Sequence, residues 1–195
     1  MLWVMNMIIL KDFIKDVLSF FVFLRFKNIW QLKEYLVKNK KESGICASVY
    51  SHYIEKKNSY IGIRTKFLNV PYFPHGLMGI FISDETKIGK NAVIFQGVTI
   101  GAVRTKGSKN IGNPTIGDNC YIGAGAKIIG NIKIGNNCRI GANAVVYEDM
   151  PDNSVAVCAP TKIVKKDKKL DNRFYVLRPN GDVEYYEDGV FKKDK

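Results

Sequence analysis

A chain of 195 residues, 46% of them hydrophobic, holds enough apolar material for one folded domain, which excludes disorder along its whole length. Lys and Arg total 30 against 18 Asp and Glu, and the resulting net charge of +12 favours partners that carry phosphate or carboxylate. Cysteines 46, 120, 138 and 158 form no C-x-x-C pair and only two histidines exist, so neither a zinc ribbon nor a three-histidine site assembles within one chain; no metal is expected.

The opening MLWVMNMIILKDFIKDVLSFFVFLRF is apolar enough to suggest a leader or an anchor, and fits neither. No basic residue precedes the apolar stretch and no small-residue cleavage site follows it. The charge-free runs 1–10 and 17–24 are far short of the ~20 residues that span a bilayer. Ile9, Leu10, Phe13, Ile14, Val17, Leu18, Phe21 and Leu24 recur at helical spacing, with Lys11, Asp12, Lys15 and Asp16 opposite, which predicts an amphipathic helix. Its apolar face packs on the rest of the protein or on a sister subunit; the alternative is peripheral membrane contact through residues 1–26, helped by Arg25 and Lys27. NIWQLKEYLVKNKK and ASVYSHYIEKKN continue in helical style with a polar break at 42–44, so residues 1–58 read as a helical region in which His52 is structural.

From Ser59 the texture changes to short units rich in Ile, Gly and Asn, with a period of six. Ile82, Ile88, Ile94 and Ile100 keep it, as do Ile116, Ile122, Ile128, Ile134, Ile140 and Val146. An aliphatic residue at every sixth place points inward from one flat face, and the glycine that often follows lets the chain corner. Thr86, Ala92, Val98, Cys120, Ala126, Cys138 and Ala144, two places earlier, suit a narrow interior. Three hexapeptides make a triangular coil, stacking Ile122 on Ile140 and Cys120 on Cys138. Ile100 and Ile116 are out of phase, so residues 102–114 leave the coil as an extruded loop, the kind of segment where chemistry is completed. The repeat fades by residue 165. In the tail, 166–195, RFYVLRP and DVEYYE flank Asn180-Gly181, a two-residue hairpin signal.

Residues 60–165 resemble the hexapeptide-repeat acyltransferases, and within them the serine acetyltransferase-like branch that includes sugar and capsule O-acetyltransferases. The resemblance rests on PHGLMGIFISDETKIGKN, on Gln96-Gly97-Val98-Thr99-Ile100-Gly101, on PTIGDNCYIGAGAKIIGNIKIG and on DMPDNSVAVCAPTKIV. It implies a mainly β fold, a left-handed parallel β-helix, assembled as a homotrimer with acetyl-CoA in a groove between neighbouring subunits. His75 matches the catalytic histidine of a His-x-x-Gly-Ile setting, with one extra residue between. A free imidazole, with its pKa of ~6.5, is suited to take a hydroxyl proton at neutral pH. The same likeness places Ala102, Ala124 and Ala142 along the pantetheine, and Lys162, Arg139 or Lys127 near its phosphates. Glu85 matches an acidic residue of the acceptor pocket. The oxyanion donors stay open beyond a main-chain N–H near Gly76 or from a facing subunit.

Departures from the serine acetyltransferase pattern steer the acceptor. Pro74 replaces an aspartate that helps hold the serine amino group, Asn113 stands for a histidine that grips the carboxylate, and Tyr60 for the aspartate that orients the imidazole. Cys158 replaces a usual glycine in the closing motif. With those anchors missing, the expected acceptor is a saccharide hydroxyl of capsule, lipopolysaccharide or another surface glycan, met by Tyr72, Phe95, Glu85 and Asn113. Serine O-acetylation with an altered pocket and a non-catalytic trimeric scaffold are the alternatives. No aromatic-basic motif points to nucleic acid. Unpaired cysteines suit a reducing, cytoplasmic location, peripheral to the inner face of the membrane if the first helix docks there.

Overall fold

An aliphatic residue at every sixth position needs a chain that turns a corner every six residues, and the computed structural model shows that coil from Tyr60 to Ala156. The structure describes residues 2–159, 174–187 and 190–194. Face 1 of the coil consists of Tyr60–Ile61, Phe81–Ile82, Thr99–Gly101, Lys127–Ile129 and Val145–Val146. Face 2 consists of Lys66–Phe67, Lys87–Ile88, Thr115–Ile116 and Lys133–Ile134, and face 3 of Val93–Ile94, Tyr121–Ile122, Arg139–Ile140 and Val155–Ala156. Pairing is parallel on every face, with Ile82 on Ile100 on Ile128 on Val146 and Ile94 on Ile122 on Ile140. These isoleucines and the small residues two places before them are buried. The fold is the expected left-handed β-helix.

Its corners explain the polar half of the repeat. Asn91, Asn119, Asn137 and Asn153 all take left-handed backbone angles between faces 2 and 3, φ 56° to 61°. Their side chains form a ladder that begins at Asn69, each Nδ2 donating to the next Oδ1 at 3.0–3.3 Å. Asparagine tolerates this conformation at modest cost and adds a hydrogen bond per coil.

Two insertions lengthen the usual offset of eighteen, and a short corner after Val146 trims it to sixteen for Ile134 on Met150 and Ile140 on Ala156. Ile61 lies on Ile82, twenty-one residues on, because extra residues sit at the corner between faces 3 and 1, around His75. Ile100 lies on Ile128, twenty-eight on, because residues 102–112 bulge out between faces 1 and 2. Paired hydrogen bonds of 3.0 Å between Val103 and Gly112 close that loop at its base.

The first coil uses Phe67 and Phe73 where later ones use isoleucine, because helices cover this end. The helices are α1 (Leu2–Arg25), α2 (Ile29–Lys38) and α3 (Ile45–Glu55). Asn28 caps α2, its Oδ1 accepting from the N–H groups of Trp30 and Gln31. Trp30 then stacks on Phe73 at 5.7 Å and meets Phe67 edge-on at 5.9 Å. Leu32, Leu36, Val49, Tyr50 and Ile54 make a second core.

α1 turns only the Leu18 flank of its expected apolar face toward this chain. Leu18, Val22 and Phe23 face the helical core, and Asp16 joins buried His52 at 2.9 Å. Hydrogen bonds from Lys56 and His52 hold the Asp16 carboxyl below the ordinary carboxylate range. Leu10, Phe13, Ile14, Val17, Phe20, Phe21 and Leu24 are left exposed, so most of the apolar face does not pack on this chain. No helix among the described residues is long and apolar enough to cross a membrane.

Lys33 fastens α2 to the first coil. Its buried ammonium donates to the carbonyls of Ile63 and Thr65, both at 2.6 Å, and desolvation lowers its pKa from 10.5 to about 8. Between those two values the unfolded chain holds a proton that the folded chain has lost, so this group makes stability rise with pH across that window. Lys33→Met is expected to lose the rise, measured as the urea midpoint of variant and wild type from pH 7.5 to roughly 10.5.

The tail is a separate compact unit. Phe174–Leu177, Val183–Glu187 and Val190–Lys193 form an antiparallel sheet, one strand more than expected. The first turn holds three residues, Pro179, Asn180 and Gly181, closed by Arg178 N–H to Asp182 O at 2.8 Å. Gly181 alone takes positive φ there, at 87°, whereas the expected two-residue turn asks it of both central residues.

Candidate active site

His75 sits on the insertion between faces 3 and 1, where Gly76 and Gly79 turn the chain with φ of 67° and 64°. Its Nδ1 is 2.7 Å from Oε1 of Gln96 in the next coil. An amide oxygen only accepts, so Nδ1 carries the hydrogen and Nε2 keeps the lone pair needed of a base. Phe95 meets the imidazole edge-on at 5.5 Å and is itself braced by Tyr121. The ring is exposed and borders a cavity of about 490 Å³ lined by Trp30, Tyr53, Lys57, Phe73 and Met78 among others.

Ala124 and Ala142 share this corner, in the coils beyond Gln96. Gly125 N–H donates to Gln96 O at 2.9 Å and Asn143 N–H to Ala124 O at 2.8 Å. Arg139 lies on the outside of face 3, its guanidinium 6.0 Å from the Tyr121 ring. Lys127 is tied to its own neighbours, Gly97 O at 2.7 Å and Thr99 Oγ1 at 3.1 Å. Tyr72 stands outward on face 3, 67% exposed, and the cavity takes Phe73 in its place because strand side chains alternate. The Gly76 N–H already donates to Phe73 O at 3.0 Å. Lys162 lies outside the described residues.

A second cluster occupies the corner between faces 1 and 2. Ala102 follows face 1 there, and Glu85 holds φ 66°, a conformation costly for a residue other than Gly or Asn. Glu85 Oε2 accepts from Asn113 Nδ2 at 3.4 Å, and Oε1 is 3.6 Å from Arg64. Asn113 Oδ1 accepts from Ser83 at 3.3 Å and from Arg104 at 3.4 Å. Tyr60 belongs here too, its hydroxyl donating to Asp84 Oδ2 at 2.8 Å; burial and that carboxylate push the phenol pKa up. It is therefore no partner of the imidazole. One chain places His75, Phe95, Ala124 and Ala142 along one edge of the triangle, and Ala102, Glu85 and Asn113 along another. Gln96 was not among the expected site residues, although the offset of twenty-one carried by the first coil sets it beside His75.

Among known proteins, the pattern of the family described as bacterial transferase hexapeptide (six repeats) matches residues 113–148. Serine acetyltransferase of Bacillus pumilus is 41% identical over 103 residues, 52% of this chain and 46% of that protein. That of Staphylococcus aureus is 47% identical over 107 residues, 52% of this chain and 49% of its own length. The chain thus spans about half the length of the curated relatives it matches. Serine acetyltransferase isoform 3 of Entamoeba histolytica, solved with cysteine, superposes with TM-score 0.59 at 29% identity, covering 71% of this chain and 50% of that one. A serine acetyltransferase solved with CoA gives TM-score 0.57 at 29% identity, covering 70% and 54%. These findings overturn the saccharide acceptor, and with it the placing of the chain in a sugar O-acetyltransferase branch. The missing anchors at Pro74, Asn113 and Tyr60 had pointed there; within one chain Tyr60 and Asn113 lie on a different edge from His75. Residues 113–148 are a bacterial-transferase hexapeptide repeat, and the β-helix around them is of the kind that serine acetyltransferases have.

Proposed function

We propose that this chain transfers the acetyl group of acetyl-CoA to the hydroxyl of serine, with His75 as general base. The observation that carries the reading is the His75–Gln96 contact on the rim of a cavity, in a chain of which about half is 41% and 47% identical to serine acetyltransferases. Nε2 accepts the hydroxyl proton as the oxygen attacks the thioester carbonyl, and Gln96 steadies the imidazolium through Nδ1–H. The C–S bond then breaks and the proton passes from Nε2 to the departing thiolate. Ala124 and Ala142 present only methyl groups on the same edge, which leaves main-chain atoms open to a thin, extended donor; this fits pantetheine.

The two half-sites favour self-association. The outer column of face 2 is Lys66, Lys87, Thr115 and Lys133, suited to water. Face 3 presents Tyr72, Val93, Tyr121, Arg139 and Val155, and face 1 presents Tyr60, Phe81, Thr99, Lys127 and Val145. A homotrimer that packs faces 1 and 3 of neighbouring copies brings the His75 edge of one to the Glu85, Asn113 and Ala102 edge of the next.

The purified chain, mixed with acetyl-CoA and L-serine, is expected to release CoA thiol and form O-acetylserine. Absence of thiol release with serine, threonine and homoserine alike overturns the reading.

A further inference from the structure

The cavity beside His75 has one feature that the base does not explain. Lys57 lines it and no carboxylate does. The Lys57 ammonium makes no ion pair and no hydrogen bond with any described residue, whereas Lys33, Lys56 and Lys127 all have partners. The main chain of Lys57 is nonetheless firmly held. Its N–H donates to Ile54 O at 3.0 Å, and its carbonyl accepts from Ser59 Oγ at 3.1 Å and from Gly79 N–H at 3.4 Å. Gly79 closes the same insertion that carries His75, so the main chain of Lys57 is hydrogen-bonded to the segment of the base. Trp30 and Phe73, stacked on one another, line the same cavity and carry no charge.

A cation and a general base that line one aromatic-walled cavity suit a ligand carrying both a hydroxyl and an anion. We infer that Lys57 is the carboxylate anchor of the acceptor, the residue that makes a hydroxy amino acid, and not its neutral amide, the preferred substrate. The inference rests on the acyl-transfer reading for the role of the hydroxyl. It also supplies a cation for the acceptor carboxylate from the helical region, in a chain where Asn113 carries no charge. Charge-assisted hydrogen bonds to a carboxylate are the strong kind, so removal is visible in binding.

The test compares wild type, Lys57→Met and Lys57→Arg on L-serine and on L-serinamide, which keeps the hydroxyl and loses the anion. Lys57→Met is expected to raise KM for serine about ten- to a hundredfold with kcat changed less than about threefold, and to leave serinamide unchanged. Lys57→Arg restores most of the preference. Binding is read separately from the emission of Trp30 in the cavity wall, with Trp3→Phe as the common background, and follows the same order. Serine acetylated with an unaltered serine-to-serinamide ratio in Lys57→Met overturns the anchor and leaves the base standing. Serine bound in a Lys57-dependent way but never acetylated supports the anchor and removes the acyl-transfer reading. Wild type that neither binds nor acetylates serine overturns both.

Discussion

His75→Ala is expected to lower kcat for acetyl transfer about 10²–10⁴-fold, the range a positioned general base contributes. CoA binding is expected to stay within about twofold, because the imidazole touches neither Ala124 nor Ala142. The exposed ring carries no core packing, so the melting temperature of the variant should match wild type and separate lost chemistry from lost fold. Gln96 gives the same claim a finer test. In Gln96→Glu a carboxylate faces Nδ1 and stabilises the charged imidazole, so the acidic limb of the pH–rate profile moves to higher pH. In Gln96→Ala the tautomer is no longer held, and kcat falls while KM for serine changes little. Stopped-time thiol release across pH 5.5 to 9 reads both; an unshifted limb in the Glu variant would falsify the pairing of Gln96 with the base.

The largest expected loss of stability is at Ile122→Ala. Ile122 is fully buried in the middle of the face 3 column, with Ile94 on one side and Ile140 on the other. Parallel coils cannot slide together to fill the space without breaking the ladder on each face, so the cavity stays open. Truncation at such a site costs about 2–5 kcal/mol. In a stack where each coil contacts only its neighbours, the loss uncouples the coils on either side. Urea unfolding should show a midpoint lowered accordingly, and the same change at Val145, whose side chain faces outward at 60% exposure, should cost about 0.5 kcal/mol or less in the isolated chain.

The columns were legible from residues because the interior of a triangular coil admits one aliphatic and one small side chain per hexapeptide, which leaves a strict period. Ile82 to Val146 needed nothing more. The first coil was harder to count, since Phe67 and Phe73 replace isoleucine under the cover of Trp30. His75 was legible through its motif, whereas Gln96 needed the offset of the first coil, a tertiary quantity. The orientation of α1 followed from Asp16 reaching His52, a contact between residues far apart in sequence that no periodicity encodes. The acceptor was misjudged by letting three positions speak for a pocket walled in part by Trp30, Tyr53 and Lys57, which come from the helical region and carry no repeat signal. In the tail, Asn180-Gly181 marked the turn correctly but not its length.

All three interruptions of the period fall at corners, never within a face, and beyond each of them the columns resume in register. A corner insertion changes which groups are displayed at the rim without displacing any interior methyl, so its length and composition are free to vary independently of folding. The segment that carries His75 and the long loop are in that sense interchangeable cassettes on an inert spindle, open to change without cost to the columns.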